Sequence, residues 1–269
     1  VDPVERFAVL VAAPEPALDD GALAIAAGAD PALDPAPWLA ELDRLADGVT
    51  SLDGLVHRLF TEAGFTGNTA EYYDPRNSLL PHVLTRRTGI PITLAVVTIE
   101  VGRRAGIELE GVGMPGHFLV RPVGGRQHLD VFAGGRLLDD AACETLFRDV
   151  TGAGPDVPFG PQLLARSTTR QILTRMLENL RVIYRHRQRP ADLDWVLRMR
   201  LALRPGHPDE IALLIDLARV QGDRGRWLDG ARMLDRYVAA AAADPASPVT
   251  AAEFDRLRTA ARALRAHLN

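Results

Sequence analysis

The chain has no lysine and one cysteine in 269 residues. All 31 basic residues are therefore arginine, which excludes Schiff-base chemistry, a lysine general base and the phosphate-binding lysine of a Walker loop. Any cation at work is a guanidinium. Cys143 has no partner within the chain, so no intrachain disulfide forms, and no Cys/His run has structural zinc spacing. A reducing compartment, the cytoplasm, is the expectation. Arginines do not outnumber the 35 acidic residues, and the formal charge of −4 leaves no basic footprint for nucleic acid. Apolar runs fall short of bilayer-spanning length. Residues 1–11, with Asp2, Glu5 and Arg6, lack the layout of a secretory signal. Neither a cofactor nor a metal is expected, and neither nucleic acid nor a membrane is an expected partner.

The chain is long enough to bury a core without covalent staples. Pro, Gly and Asp punctuation predicts helices over 4–12, 19–28, 36–47, 51–63, 78–87 and 92–105. Strand patterns follow at Glu108–Gly113, Gly116–Pro122, Arg126–Phe132 and Gly135–Leu138. A short helix starts after Asp139, and the Gly/Pro-rich stretch Thr151–Pro161 reads as a connector. Beyond it, apolar spacing predicts helices to the end, including 208–221, 226–243 and 250–267. The fold class is α+β, a helical cluster with a small antiparallel sheet over 1–155, followed by an all-α module over 156–269. Within that module Trp195, Leu197, Leu201 and Pro205 are echoed by Trp227, Met233, Leu234, Tyr237 and Pro245. Such a spacing is that of helix-pair repeats, which stack and expose a peptide-binding groove. Tyr184, Arg198 and Tyr237 are the expected lining.

The hairpin over 116–132 permits a parity argument. If Gly124 and Gly125 form a two-residue turn, paired residue numbers sum to 249. Phe118 then faces Val131 and Val120 faces Leu129, making one face apolar. His117, Leu119, Arg121, His128, Asp130 and Phe132 share the other, with His117 and Asp130 as diagonal neighbours. A carboxylate accepting from one imidazole nitrogen fixes the tautomer and leaves the other nitrogen as a base. The competing reading is a polar pair with no chemical role.

A nucleophile would complete the set. Gly89, Ile90 and Pro91 read as a stop followed by a helix start, placing Thr93 in the first turn of a helix apolar around most of its circumference. There the helix dipole favours a developing anion, although a hydroxyl needs a base in contact to attack. A local hydrogen bond at the helix start is the competing role. Asn77 and Ser78 read as a turn and cap for the 78–87 helix, with the Asn77 side chain in reach of Thr93. Cys143, beside Glu144, lacks the positive surroundings that activate a thiol and reads as a packed one. Gly111, Gly113 and Gly116 spell a dinucleotide fingerprint only formally, since Pro115 interrupts it and a strand follows.

Several runs together resemble the SirB family: Tyr72-Tyr73-Asp74-Pro75-Arg76-Asn77-Ser78, Thr85-Arg86-Arg87-Thr88-Gly89-Ile90-Pro91-Ile92-Thr93-Leu94, Gly111-Val112-Gly113-Met114-Pro115-Gly116-His117-Phe118, Asp130-Val131-Phe132-Ala133-Gly134-Gly135 and Arg170-Gln171-Ile172-Leu173-Thr174-Arg175-Met176-Leu177-Glu178-Asn179-Leu180. The resemblance implies a papain/transglutaminase-like core followed by tetratricopeptide-like helices. It also implies a site in which active members place a cysteine at the start of the central helix, a histidine on one strand and an aspartate on the next. His117 and Asp130 match the latter two, and Thr93 occupies the cysteine position. The family commonly has serine there and is credited with a regulatory role.

The leading expectation is thus a catalytically degenerate transglutaminase-like protein whose C-terminal helices bind a protein or peptide. The alternative is an enzyme acting on an amide or ester, with Thr93 as nucleophile, His117 as base, Asp130 as its orienter and Asn77 in support. A third reading is a metal-dependent hydrolase using His117, His128 and Asp130.

Overall fold

A computed structural model describes residues 2–203 and 209–267. The chain divides into two compact units, one formed by Ala13–Met176 and the other by Val1–Ala12 with Leu177–Asn269. In chain order the first elements are α1 (Pro3–Ala12), α2 (Leu18–Ala29), α3 (Ala36–Ala46) and α4 (Leu52–Val56). A π-helical stretch, His57–Glu62, continues α4, so the helix expected over 51–63 is wound in two ways. Next come β1 (Thr66–Gly67), a 3-10 turn Pro75–Ser78, α5 (Leu80–Arg86), β2 (Thr88–Gly89) and α6 (Pro91–Arg104). The sheet region holds β3 (Leu109–Val112), β4 (Leu119–Pro122), β5 (His128–Asp130), β6 (Arg136–Leu138), α7 (Asp140–Thr151) and β7 (Arg166–Ser167). The helices α8 (Thr169–His186), α9 (Pro190–Leu203), α10 (Glu210–Asp223), α11 (Trp227–Ala243) and α12 (Ala251–Ala266) complete the chain.

In the first unit α6 is the axis. Its residues from Pro91 to Gly102 are all buried, as its nearly unbroken Ile/Leu/Val run requires. Against it lies an antiparallel sheet in the order β6-β5-β4-β3-β7. Val120 pairs with Leu129 and Val112 with Leu119. The expected sum of 249 therefore holds, and Phe118, Val120, Leu129 and Val131 are all fully buried. The turn itself differs from the expected two-residue hairpin. It closes earlier, where the Gly125 N–H donates to the Pro122 carbonyl at 2.8 Å and Gly124 takes a positive φ of 74°. The loop is longer, yet the register survives because the buried apolar face fixes it.

The expected connector after Thr151 does not separate the units. It stays with the first one, supplies Phe159, Leu163 and Leu164 to a cluster with Cys143, Phe147, Leu119 and Leu138, and then forms β7. The division falls instead within α8, later than the expected boundary between 155 and 156. Composition marks where the chain turns; it does not mark which side the turning segment packs on.

The second unit is helical. Leu214, Ala218, Ala231, Leu234, Leu257 and Leu264 share one apolar cluster, and a Cβ at Gly230 would stand 2.4 Å from the Ala218 carbonyl oxygen. Only glycine lets α10 and α11 approach so closely. Trp195 lies in the first half of α9, and Trp227 opens α11, so the echoed segments begin two consecutive helix pairs. Pro205 and the first residue of the helix expected over 208–221 lie outside the described residues. Of the expected groove residues, Tyr184 lines a cavity of about 490 Å³ with Arg185, Arg189, Leu193 and Asp216. Tyr237 instead packs against the apolar cluster, and Arg198 is paired with Asp194 at 2.9 Å. Among the described residues no helix is long and apolar enough to cross a membrane.

Candidate functional site

Thr93 stands where expected, in the first turn of α6. Ile90 is extended and Pro91 takes the first helical position, which costs nothing because the missing N–H would have no partner there. The Thr93 hydroxyl oxygen accepts from the Ile90 N–H at 3.2 Å. Its single proton points to the Asn77 carbonyl oxygen at 2.6 Å, with the Ile90 carbonyl a longer second acceptor at 3.1 Å. The residue is fully buried. A hydroxyl has one proton to give, and this one is given to backbone.

Asn77 supports the site differently from the expectation. It lies inside the 3-10 turn, whose cap is the Asp74 carboxylate accepting from the Arg76 N–H. Its carbonyl, not its side chain, reaches Thr93. The side-chain amide donates to the carbonyls of Glu71 at 2.7 Å and Tyr72 at 3.2 Å, while its oxygen accepts from Asn68 at 3.1 Å. Asn68, directly after β1, is a further structural member that nothing in its local sequence marks. Asn77 therefore fixes the 71–78 loop over the start of α6.

His117 and Asp130 meet as the register requires. His117 Nε2 is 2.9 Å from Asp130 Oδ1, and both side chains are buried. The same carboxylate oxygen accepts from the backbone N–H groups of Phe132 and Ala133, each at 3.2 Å. Burial raises the Asp130 pKa, but the His117 bond, the backbone donors and Arg136 outweigh it and hold the carboxyl below its usual range. An ionised Asp130 draws the proton of a neutral His117 to Nε2, leaving Nδ1 with the lone pair of a base.

Two neighbours hold this imidazole in place. Arg175 donates to the Met114 carbonyl at 3.1 Å and to the His117 carbonyl at 2.7 Å, and its guanidinium lies 5.4 Å from the Phe118 ring centre. Phe132 meets His117 edge to face at 6.0 Å and Tyr72 at 6.1 Å. Gly67 makes room, since a Cβ there would sit 2.5 Å from the Phe132 ring. Arg175 was legible only as part of a helical run, because nothing local in that run marks which arginine turns inward.

The structure thus joins His117 to Asp130 and joins Thr93 to Asn77. Cys143 is fully buried, and burial, with Asp140, Asp139 and Asp130 nearby, pushes its thiol up to about 11. It is a packed thiol. Among the described residues no group of three or more His, Cys, Asp or Glu side chains is placed to hold a metal ion, and His128, on the same strand as Asp130, belongs to no such set. Chemically the first unit holds an oriented base, His117, and, at the start of α6, a hydroxyl committed to backbone.

The sequence matches the family described as the transglutaminase-like superfamily over residues 25–178, a span that lies almost wholly on the first unit. It is 48% identical over 134 residues to a UPF0162 protein of Xylella fastidiosa, covering 49% of this chain and 48% of that one. It is 37% identical over 195 residues to a UPF0162 protein of Pseudomonas aeruginosa, covering 68% and 71%. It is also 32% identical over 190 residues to mouse F-box only protein 21, covering 65% of this chain and 28% of that protein. The chain spans about half the length of the Xylella relatives it matches.

Proposed function

This chain belongs to the transglutaminase-like superfamily, and from that premise we propose that its core is a catalytically degenerate, papain-like member which binds rather than transfers. In this reading the C-terminal helices are tetratricopeptide-like and hold a protein or peptide, and the whole is a cytoplasmic regulatory protein of the SirB type. The observation that carries it is the Thr93 hydroxyl donating to the Asn77 carbonyl at 2.6 Å. A nucleophile must deliver its proton to a base as it attacks, and this proton is directed away into the backbone. The β-branch of threonine further restricts the rotamers by which the oxygen could be redirected. Retention of the His117–Asp130 pair supports a pocket that still recognises a polar group. It is also the one observation on the side of the alternative, acyl transfer from an amide or ester, which requires Thr93 to leave Asn77 first.

The helical groove supports the partner reading, because its apolar floor at Leu193 and Val220 is bordered by Arg185, Arg189, Arg219 and Asp216. A photo-crosslinking residue placed at the exposed position Asp223 of the full chain tests it in a cell extract. The expected result is a discrete set of protein adducts that Arg219→Glu removes. Absence of adducts, or hydrolysis of simple amides and esters by the unaltered chain, counts against the reading.

A further inference from the structure

His128 has no part in the site described above, and its surroundings do not satisfy it. The residue is 1% exposed, and neither Nδ1 nor Nε2 has a hydrogen-bond partner among the described residues. Buried polar groups are nearly always bonded, so an imidazole with both nitrogens unmatched calls for a reason. It is among the residues lining a cavity of about 490 Å³, a volume within the range of small-molecule pockets. The walls are the β4–β5 loop, the first turns of α7 and the segment 159–164. Gly125 and Gly160 line it with backbone, and Phe159 and Leu164 provide apolar surface.

The charges around this cavity divide into satisfied and unsatisfied. Arg121 is paired with Glu110 at 2.9 Å, and Glu144 with Arg148 at 3.2 Å. Arg126 and Asp140 are both exposed and have no ion pair among the described residues. One free cation and one free anion therefore border a ring that offers a donor and an acceptor. A simple anion would meet Asp140 and Glu144, and a simple cation would meet Arg121 and Arg126. A molecule carrying both charges complements both walls.

We propose that this cavity binds a small zwitterion of the amino-acid class, its carboxylate on Arg126, its ammonium on Asp140 and a further polar group on the His128 ring. Burial, aided by Arg121, lowers the His128 pKa, so the ring is neutral at pH 7 and keeps one nitrogen as donor and one as acceptor. The site does not depend on Thr93 or on any acyl transfer.

The test uses the full chain labelled with ¹⁵N-histidine, with the His128 ring signals followed while each of the common amino acids is titrated singly. Saturable shifts with at least one of them, weakened about tenfold or more by Arg126→Ala and by Asp140→Asn, are the expected result. His128→Phe, which keeps an apolar ring in the core, abolishes binding measured by calorimetry. The proposal is overturned if no amino acid gives a saturable shift, or if His128→Phe binds as tightly as the unaltered chain. It is equally overturned if acetate or phosphate alone reproduces the shift and Asp140→Asn changes nothing, the behaviour of a plain anion site.

Discussion

Thr93 and Asn77 are sixteen positions apart in sequence, and the hydroxyl of one lies 2.6 Å from the carbonyl oxygen of the other. This bond, with the Ile90 N–H received by the same hydroxyl, ties the 71–78 loop to the start of the central helix. Thr93→Val keeps the shape and removes both bonds, leaving a buried carbonyl and a buried N–H without partners. It is expected to cost about 1–3 kcal/mol in urea unfolding, whereas Thr93→Ser, which keeps the hydroxyl, costs about 1 kcal/mol or less. A valine variant as stable as the unaltered chain would show that the bond is not holding the loop.

The pair of His117 and Asp130 makes stability depend on acid. A carboxyl held below its ordinary pKa in the folded state stabilises the fold fully above the unfolded-state value, near pH ~4, and progressively less as pH falls through the folded value. The unaltered chain and Asp130→Asn are therefore expected to differ most at neutral pH and to converge below about pH 4. Unfolding midpoints across that range check this, and a gap that persists unchanged at low pH contradicts it.

Arg175 acts through the backbone of the His117 loop, so its removal should be felt at the imidazole. Arg175→Leu strands the His117 carbonyl and leaves the Met114 carbonyl with the His117 N–H alone, and is expected to cost about 1–3 kcal/mol. It should also shift the His117 ring resonances. Arg175→Lys restores part of the stability, because an ammonium reaches one carbonyl but lacks the two-pronged geometry. Unmoved His117 signals in the leucine variant would make Arg175 a packing residue only.

Cys143 should be silent in the folded protein. With its thiol pushed up to about 11 by burial and neighbouring carboxylates, it is expected not to react with a disulfide reagent at neutral pH and to react fully on unfolding. Rapid labelling of the native chain would mean that the cluster around Phe147 opens.

The central helix, the sheet register and the His117–Asp130 pairing were legible because each rests on a local period: apolar residues around one helix, and alternation along two strands. The Val120–Leu129 register follows from burial even though the turn closes one residue earlier than the two glycines suggest. What lay beyond the sequence were contacts set by tertiary approach. Nothing in the run 166–167 marks it as the strand that closes the sheet, since two residues carry no period. Asn77 reads as a cap from its type, but which of its groups meets Thr93 depends on how the 3-10 turn lies across α6. Likewise Arg175 is one arginine among many, and only the fold aims it at the His117 carbonyl.

The most direct test of the proposal that the site is degenerate is intact-mass spectrometry of the full chain incubated with an activated acyl donor such as a nitrophenyl ester, followed by peptide mapping. Because the Thr93 proton is committed to Asn77, the prediction is that no acyl group appears on Thr93 in the unaltered protein. Stoichiometric acylation of Thr93 that disappears in His117→Ala would contradict the account and establish a working Thr93–His117–Asp130 nucleophile.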